Sequence, residues 1–309
     1  MKKENQRNLN LEHIHGVRVL ILGASGFIGK ALSSTFNEYG ALVTGTTTDD
    51  FDALSQHTSE YLSELVTNKD VIINLIGLKN SHASMSTQES RKINVEFCKT
   101  LLDTIGIYNP KAKVIFPSSQ TIYGDIPNYE RFTEEHVCNP VRIYAQEKKE
   151  AEDIHLNFVK KHPNQVVIFR LTNIYGPDKK NTQSIPTLFT LKAMANENIT
   201  IYGDGKDMRD YIYVDDVARI FMYASITKLN HTIYNLCSGQ LSSLNNIAEN
   251  IVKRVGKGTI VHVPFPKEYT YHAGDIIIDN SRLLSEIQVG DFVRIEDGLE
   301  RLYLEYNKS

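Results

Sequence analysis

VRVLILGASGFIG, residues 17–29, decides the fold. Its first six residues are a short, β-branched, mainly apolar run, which predicts a buried parallel strand over 17–22. Gly23, Gly26 and Gly29 then form GxxGxxG at the mouth of an apolar-periodic stretch that reads as a helix to Tyr39. Glycine at such a turn allows a tight bend, close approach of backbone to a pyrophosphate, and a helix packed hard on its strand. The helix N-terminus adds free N–H groups and partial positive charge for phosphates. Three spaced glycines also suit an ordinary strand-to-helix turn. Their place between strand and helix points instead to a dinucleotide held by Gly23, Ser25, Gly26, Phe27, Ile28 and Gly29.

Working outward, ALVTGT (41–46) reads as a second strand, 58–66 as helical, and DVIINLIG as a third strand at 71–76 that brings Leu75 to the same edge. A helix over 87–105, a strand at 114–116, a charged amphipathic helix over 142–161 and a strand at 166–170 follow. The alternation predicts an α/β fold with a doubly wound, mainly parallel sheet whose ligand lies beyond the carboxyl ends of the strands. After residue 171 connections become rich in Asn, Gly, Pro and Asp, with helices near 184–196, 214–225 and 244–254. The expected organisation is a polar extension (1–16), a dinucleotide-binding domain (17–170) and a smaller, mainly substrate-binding C-terminal lobe (171–309) that crosses back in part.

Composition fits a globular chain: of 309 residues, 41% are hydrophobic and 23% charged. A net charge of -3 gives no reason to expect nucleic acid or anionic lipid as a partner. The opening MKKENQRNLNLEHIHG is too polar for a secretory signal, and no stretch approaches the ~20 apolar residues of a membrane span. A soluble, cytoplasmic protein is expected. Cys98, Cys138 and Cys237 are widely separated, and the ten histidines show no HExxH pair, so no metal site is expected.

The acid that would hold an adenosine ribose belongs at the end of the second strand. Thr46, Thr47 and Thr48 occupy that place, with Asp49 and Asp50 just beyond. Threonine hydroxyls can bond either a ribose hydroxyl or a 2′-phosphate. Thr47 and Thr48 are the expected contacts, and NAD or NADP both remain open, with NADP favoured.

Tyr144 and Lys148 stand four residues apart on the 142–161 helix and so project from one face. A free phenol titrates near 10, whereas an ammonium roughly 4 Å away at an effective dielectric of about 20 stabilises phenolate by about 4 kcal/mol. Tyr144 is therefore expected to titrate near working pH and to serve as acid or base. About one YxxxK is expected by chance, and Tyr202 and Lys206 form a second in a segment too rich in glycine for a helix. PSSQTIYG distinguishes the first pair, because it brings Ser118 and Ser119 to the same cleft edge.

With these pieces assembled, the chain resembles the NAD-dependent epimerase/dehydratase family of extended short-chain dehydrogenases, whose sheet is of the Rossmann type. GASGFIG, DVIINLIG, KINVEFCKTLL, SSQTIYG, YAQEK, VIFRLTNIYGP, YGDGKDMRDYIYVDDVA and YNLCSGQLSSLNNIAE carry the resemblance in order, from about residue 17 to 304. It implies Ser119, Tyr144 and Lys148 as catalytic, and Asn94, Tyr144 and Lys148 against the cofactor. It further implies Ser119, Asn173 and Arg209 on a nucleotide-diphosphate sugar, and is compatible with a homodimer. Arg209 could fork onto phosphate or form an ion pair with Asp207 or Asp210, and Asn173 could equally be a turn residue. Asp215 and Asp216 read as caps of the next helix.

Departures narrow the reading. Dehydratases of the family carry Asp-Glu after the catalytic Ser/Thr, whereas this chain has Gln120 and Thr121, which argues against water elimination. Tyr271 and His272 stand where relatives usually place an Arg on the diphosphate, and Gly77 replaces a frequent Ala. A 4-ketoreductase acting on a 4-keto-6-deoxyhexose nucleotide is expected first, because the stretch from second to third strand is short and the ribose acid is missing. A 4-epimerase with retained NAD is the alternative. An inactive NAD(P)-binding sensor fits least, since it has no need of Ser119, Tyr144 and Lys148 together.

Overall fold

The computed structural model describes residues 11–47, 53, 58–78, 87–124, 131–162, 166–178, 181, 183–266 and 274–308. Strand β1 (Arg18–Leu22) leads into α1 (Phe27–Glu38), then β2 (Leu42–Gly45), α2 (Thr58–Val66) and β3 (Val71–Asn74). Helices α3 (Thr87–Arg91) and α4 (Phe97–Tyr108) flank a π-helical turn at Lys92–Glu96. Then come β4 (Lys113–Ser119), β5 (Arg131–Phe132), α5 (Ile143–Val159) and β6 (Val166–Leu171). The later half holds β7 (Asn173–Tyr175), α6 (Ile185–Met194), β8 (Asn198–Tyr202), β9 (Met208–Tyr213), α7 (Val214–Ile226) and β10 (Ile233–Leu236). It ends with β11 (Leu241–Ser243), α8 (Leu244–Val255), β12 (Thr259–Val263), β13 (Ile277–Ile278), α9 (Ser281–Glu286) and α10 (Ile295–Asn307). The single helix expected over 87–105 is thus interrupted by the π turn, a device that commonly re-aims side chains at functional sites.

Six parallel strands form the central sheet in the order β2–β1–β3–β4–β6–β10. The chain moves outward from β1 to β2, then returns past β1 to β3, so a crevice opens where the carboxyl ends of β1 and β3 part. Both faces are covered, and successive residues of one strand enter different cores. Val19 and Ile21 pack with Leu32 and Phe36 of α1 and Val217 and Phe221 of α7, while Leu20 and Leu22 pack with Leu62 of α2 and Leu101 of α4. All of these side chains are fully buried, each worth roughly 1.5–3 kcal/mol relative to exposure.

Part of the later half belongs to this sheet: α7 packs on α1, and β10 pairs with β6. The rest has its own core, where Phe189 of α6, Ile247 and Ile251 of α8, and Leu299 and Leu302 of α10 surround Tyr175 and Ile201. Strand β9 joins β7 and β11 beside the carboxyl end of β6, and so walls the crevice. Among the described residues no helix is long and apolar enough to cross a membrane.

Candidate active site

The glycine turn is built as a cradle. Gly23 takes φ +83°, which an L side chain rarely adopts, and its N–H donates to Thr46 Oγ1 at 3.2 Å while Ala24 N donates to the Thr46 carbonyl at 2.8 Å. A Cβ on Gly29 would stand 2.3 Å from the Gly23 carbonyl oxygen, so any larger residue would push α1 off β1. Helix α1 starts with Gly26 as its N-cap and has neither a side-chain cap nor an acid in its first turn. Its leading amides and dipole therefore face the cleft without a competing anion. A dinucleotide pyrophosphate fits this cradle. Gly23, Gly26, Phe27, Ile28, Gly29 and Leu75 line the cleft, while Ser25 is exposed at the rim of the turn.

The threonines at the end of β2 divide. Thr46 is buried and its hydroxyl already holds the Gly23 amide, while Thr47 is half-buried beside it. Thr48, Asp49 and Asp50 lie outside the described residues, as do Tyr271 and His272.

Across the cleft, β4 ends at Ser119 and α5 presents Tyr144 and Lys148. Ser119 Oγ accepts from the Thr121 amide at 3.3 Å and pairs with Thr121 Oγ1 at 3.0 Å, and it also hydrogen-bonds Tyr144. Lys148 is buried. Its Nζ donates to the Pro117 carbonyl at 2.8 Å and lies 5.9 Å from the centre of the Tyr144 ring. The sequence places Tyr144 near working pH; in the half-buried position it occupies, burial instead pushes the phenol up to about 12 against the lowering effect of its Ser119 bond. The ammonium, anchored on a carbonyl and standing over the Phe116 ring at 4.8 Å, does not offset that burial.

On the substrate side, Asn173 and Arg209 both line the cleft. Asn173 is the first residue of β7, not part of a turn, and its Nδ2 donates to the Asp210 carbonyl at 2.9 Å. Arg209 Nη1 donates to the carbonyls of Gly274, at 2.6 Å, and Met208, while Nη2 stands 3.8 Å from Asp207. Of the two expected ion-pair partners, Asp207 is the one engaged. Asp210 turns inward, accepting from Thr172 Oγ1, Ser238 N and Ser238 Oγ at 2.9 Å each. Asp215 and Asp216 do not cap α7, whose N-cap is Tyr213; they fall inside its first turn. Asp216 instead binds Arg219 at 2.6 Å and the Val293 amide at 2.8 Å, tying α7 to the segment before α10.

The cleft has a volume of about 910 Å³, and its described lining includes Arg142, Lys148 and Arg209 but no Asp or Glu. Such a wall favours a ligand carrying several negative charges.

Asn94 is not part of that lining. From the π turn it reaches the connection after β3, accepting from Leu78 N at 2.8 Å and donating to Leu78 O at 3.0 Å. Sequence reasoning missed Glu147, which receives the Asn94 amide, because a glutamate in a charged amphipathic helix reads as a solvent-facing residue. It also missed the buried Glu152–Arg170 pair, bonded at 3.1 and 2.9 Å, whose Nη1 goes on to Tyr123 Oη at 3.0 Å. A charged residue in the otherwise apolar run VVIFRL was the available signal for Arg170.

A parallel sheet of this order, with a glycine cradle at its crevice and an anion-seeking cleft beyond, defines a dinucleotide-binding α/β enzyme. The chain belongs to the NAD dependent epimerase/dehydratase family, which it matches over residues 19–237. It is 29% identical over 315 residues to the dTDP-4-dehydro-6-deoxyglucose reductase of Escherichia coli, covering 92% of this chain and 96% of the relative. Among solved structures it is similar to the UDP-glucose 4-epimerase of Thermotoga maritima determined with UDP-glucose. That likeness has a TM-score of 0.82 at 22% identity and covers 94% of this chain and 99% of the other. The dTDP-glucose 4,6-dehydratase of Bacillus anthracis, solved with NAD, aligns with a TM-score of 0.80 at 21% identity, over 95% and 97% of the two chains.

Proposed function

We propose that this protein reduces the C4 keto group of a nucleotide-linked 4-keto-6-deoxyhexose, using NADPH or NADH. The observation that carries the proposal is the Tyr144 phenol hydrogen-bonded to Ser119 and beside Lys148, inside a cleft lined by three cations and no described carboxylate. Reduction of a ketone needs a proton donor at the carbonyl oxygen, and Tyr144 stands ready as that donor. Ser119 accepts the amide of Thr121 and so can direct its own proton to the same oxygen. When bound, the reduced nicotinamide supplies the hydride that converts the carbonyl carbon to an alcohol. Tyr144 gives its proton to the resulting alkoxide and regains one from solvent, with the Lys148 ammonium 5.9 Å from its ring. Arg209 and Asn173 hold the diphosphate, the lobe after residue 171 supplying most of the sugar contacts.

The E. coli relative, matched over nearly its full length, supports a reductase. Gln120 and Thr121 stand where an eliminating enzyme would need an acid, and both face the cleft. Thr46 and Thr47, where a ribose-holding acid would stand at the end of β2, carry no charge to repel a 2′-phosphate, which supports NADP. A homodimer acting in the cytoplasm completes the reading.

Stoichiometry tests it. With a 4-keto-6-deoxyhexose nucleotide, each product molecule should consume one NAD(P)H, followed as loss of absorbance at 340 nm. Interconversion of 4-hydroxy sugar nucleotides without net cofactor consumption would replace the reductase by an epimerase.

A further inference from the structure

Glu147 is a buried carboxylate that the proposed proton transfer does not use. It sits on α5 between Tyr144 and Lys148, 4% exposed, and its Oε2 accepts from Asn94 Nδ2 at 2.7 Å and Ser90 Oγ at 2.8 Å. Its Oε1 is buried without a hydrogen-bond partner among the described residues. Desolvating an ionised carboxylate is costly, and here only one of its oxygens is compensated. A glutamate kept on such terms has to do something that a small apolar side chain would not.

Its bonds show what it does. Asn94 is an amide that could face either way, and the Glu147 carboxylate accepts only from its NH2 end. Oδ1 is thereby turned to the Leu78 amide, and the second bond, from Nδ2 to Leu78 O, locks that residue. Leu78 and its neighbour Gly77 both line the cleft. A Cβ on Gly77 would stand 3.3 Å from Asn94 Oδ1 and 3.6 Å from Lys148 Nζ, so the amide and the ammonium both lie against this backbone. One turn further along α5, Glu150 takes both arms of Arg91, fastening α3 to the same helix.

We infer that Glu147 is a positioning residue for the dinucleotide. Through Asn94 it fixes the 77–78 backbone that floors the cofactor site, and it ties that floor to the helix carrying Tyr144 and Lys148. The inference rests on the proposed use of NAD(P)H, but it concerns cofactor binding alone and can be tested without any sugar.

The test is fluorescence titration of NADPH and NADH onto wild type, Glu147→Gln, Asn94→Ala and the double variant. Glu147→Gln is nearly isosteric and exchanges charge-assisted bonds for weaker neutral ones. Its Kd for the preferred cofactor should rise about 5- to 20-fold, whereas in the Asn94→Ala background the same change should have an effect below about 2-fold, because the pathway is already cut. Kinetically, the loss should fall mainly on KM for the cofactor and less on kcat. If Glu147→Gln does not fold, Ser90→Ala, which removes one donor to Glu147 together with the 3.2 Å bond that Ser90 Oγ accepts from Asn94 Nδ2, should still raise Kd by about 2- to 5-fold. A Kd unchanged within 2-fold in the foldable variant, or equal effects of Glu147→Gln with and without Asn94, would overturn the inference. Failure of the wild type to bind either cofactor would instead sink the reading on which it rests.

Discussion

Burial raises the Tyr144 pKa more than its hydrogen bond to Ser119 lowers it. On the proposed reading the side chain is the acid, and its loss should be felt in turnover, not in affinity. We expect Tyr144→Phe to bind cofactor within a few-fold of wild type and to turn over at least ~100-fold more slowly, since a positioned acid supplies 10²–10⁴. Near-normal turnover, measured by single-turnover loss of NAD(P)H absorbance, would remove Tyr144 from the chemistry. That Ser119, Tyr144 and Lys148 meet at one cleft edge was legible in the sequence, because one spacing on one helix and one strand end suffice to bring them together. The raised pKa of Tyr144 was not, because it depends on burial, which only the tertiary packing around α5 sets. Glu147 was hidden for a related reason: its partners Ser90 and Asn94 are remote in sequence, so nothing local marks it as buried.

At the scale of elements, the β1–α1 joint combines a turn, a phosphate cradle and a packing contact in seven residues, 23–29. The third glycine is the most demanding, with the Gly23 oxygen and Ala24 Cα both inside 3 Å of where a Cβ would sit. Gly29→Ala should destabilise the protein by about 1–3 kcal/mol, the usual cost of overpacking, and should weaken cofactor binding at least tenfold. Urea unfolding and cofactor titration read the two effects separately. A variant that loses neither would mean that α1 can shift without consequence. The strands and helices of the first half were readable from period and turn chemistry, since each is long enough to show a pattern. The π turn at 92–96 was not, because it differs from an α-helix only in the partner of a few backbone bonds. The return of Ile233–Leu236 to the edge of the central sheet was equally unmarked in four residues, as pairing with β6 depends on tertiary neighbours.

For the molecule as a whole, the interior beneath the cleft is tuned for neutral pH. His155 is fully buried, stacked on Phe116 at 4.2 Å with Nδ1 against the Ala151 carbonyl, and burial pushes its pKa down to about 4, with nearby Lys148 adding to the effect. The unfolded chain binds a proton near 6.5, so the fold's advantage is full above that pH and is lost as pH falls towards 4. Wild type should therefore lose about 2 kcal/mol between pH 7 and pH 5 through this residue, and His155→Gln should not. Urea midpoints at the two pH values check this, and parallel acid limbs in both proteins would refute it. The order of the central sheet also bears on how the protein is made. Strand β10 covers the outer edge of β6, yet it leaves the ribosome only after β7, α6, β8, β9 and α7 have been synthesised. At about 5–20 residues per second, β6 spends several seconds with one edge unpaired. During vectorial synthesis the edge at VVIFRL is therefore expected to stay open to wrong pairing until β10 arrives, so that the amino-terminal half alone should aggregate more readily than the full chain.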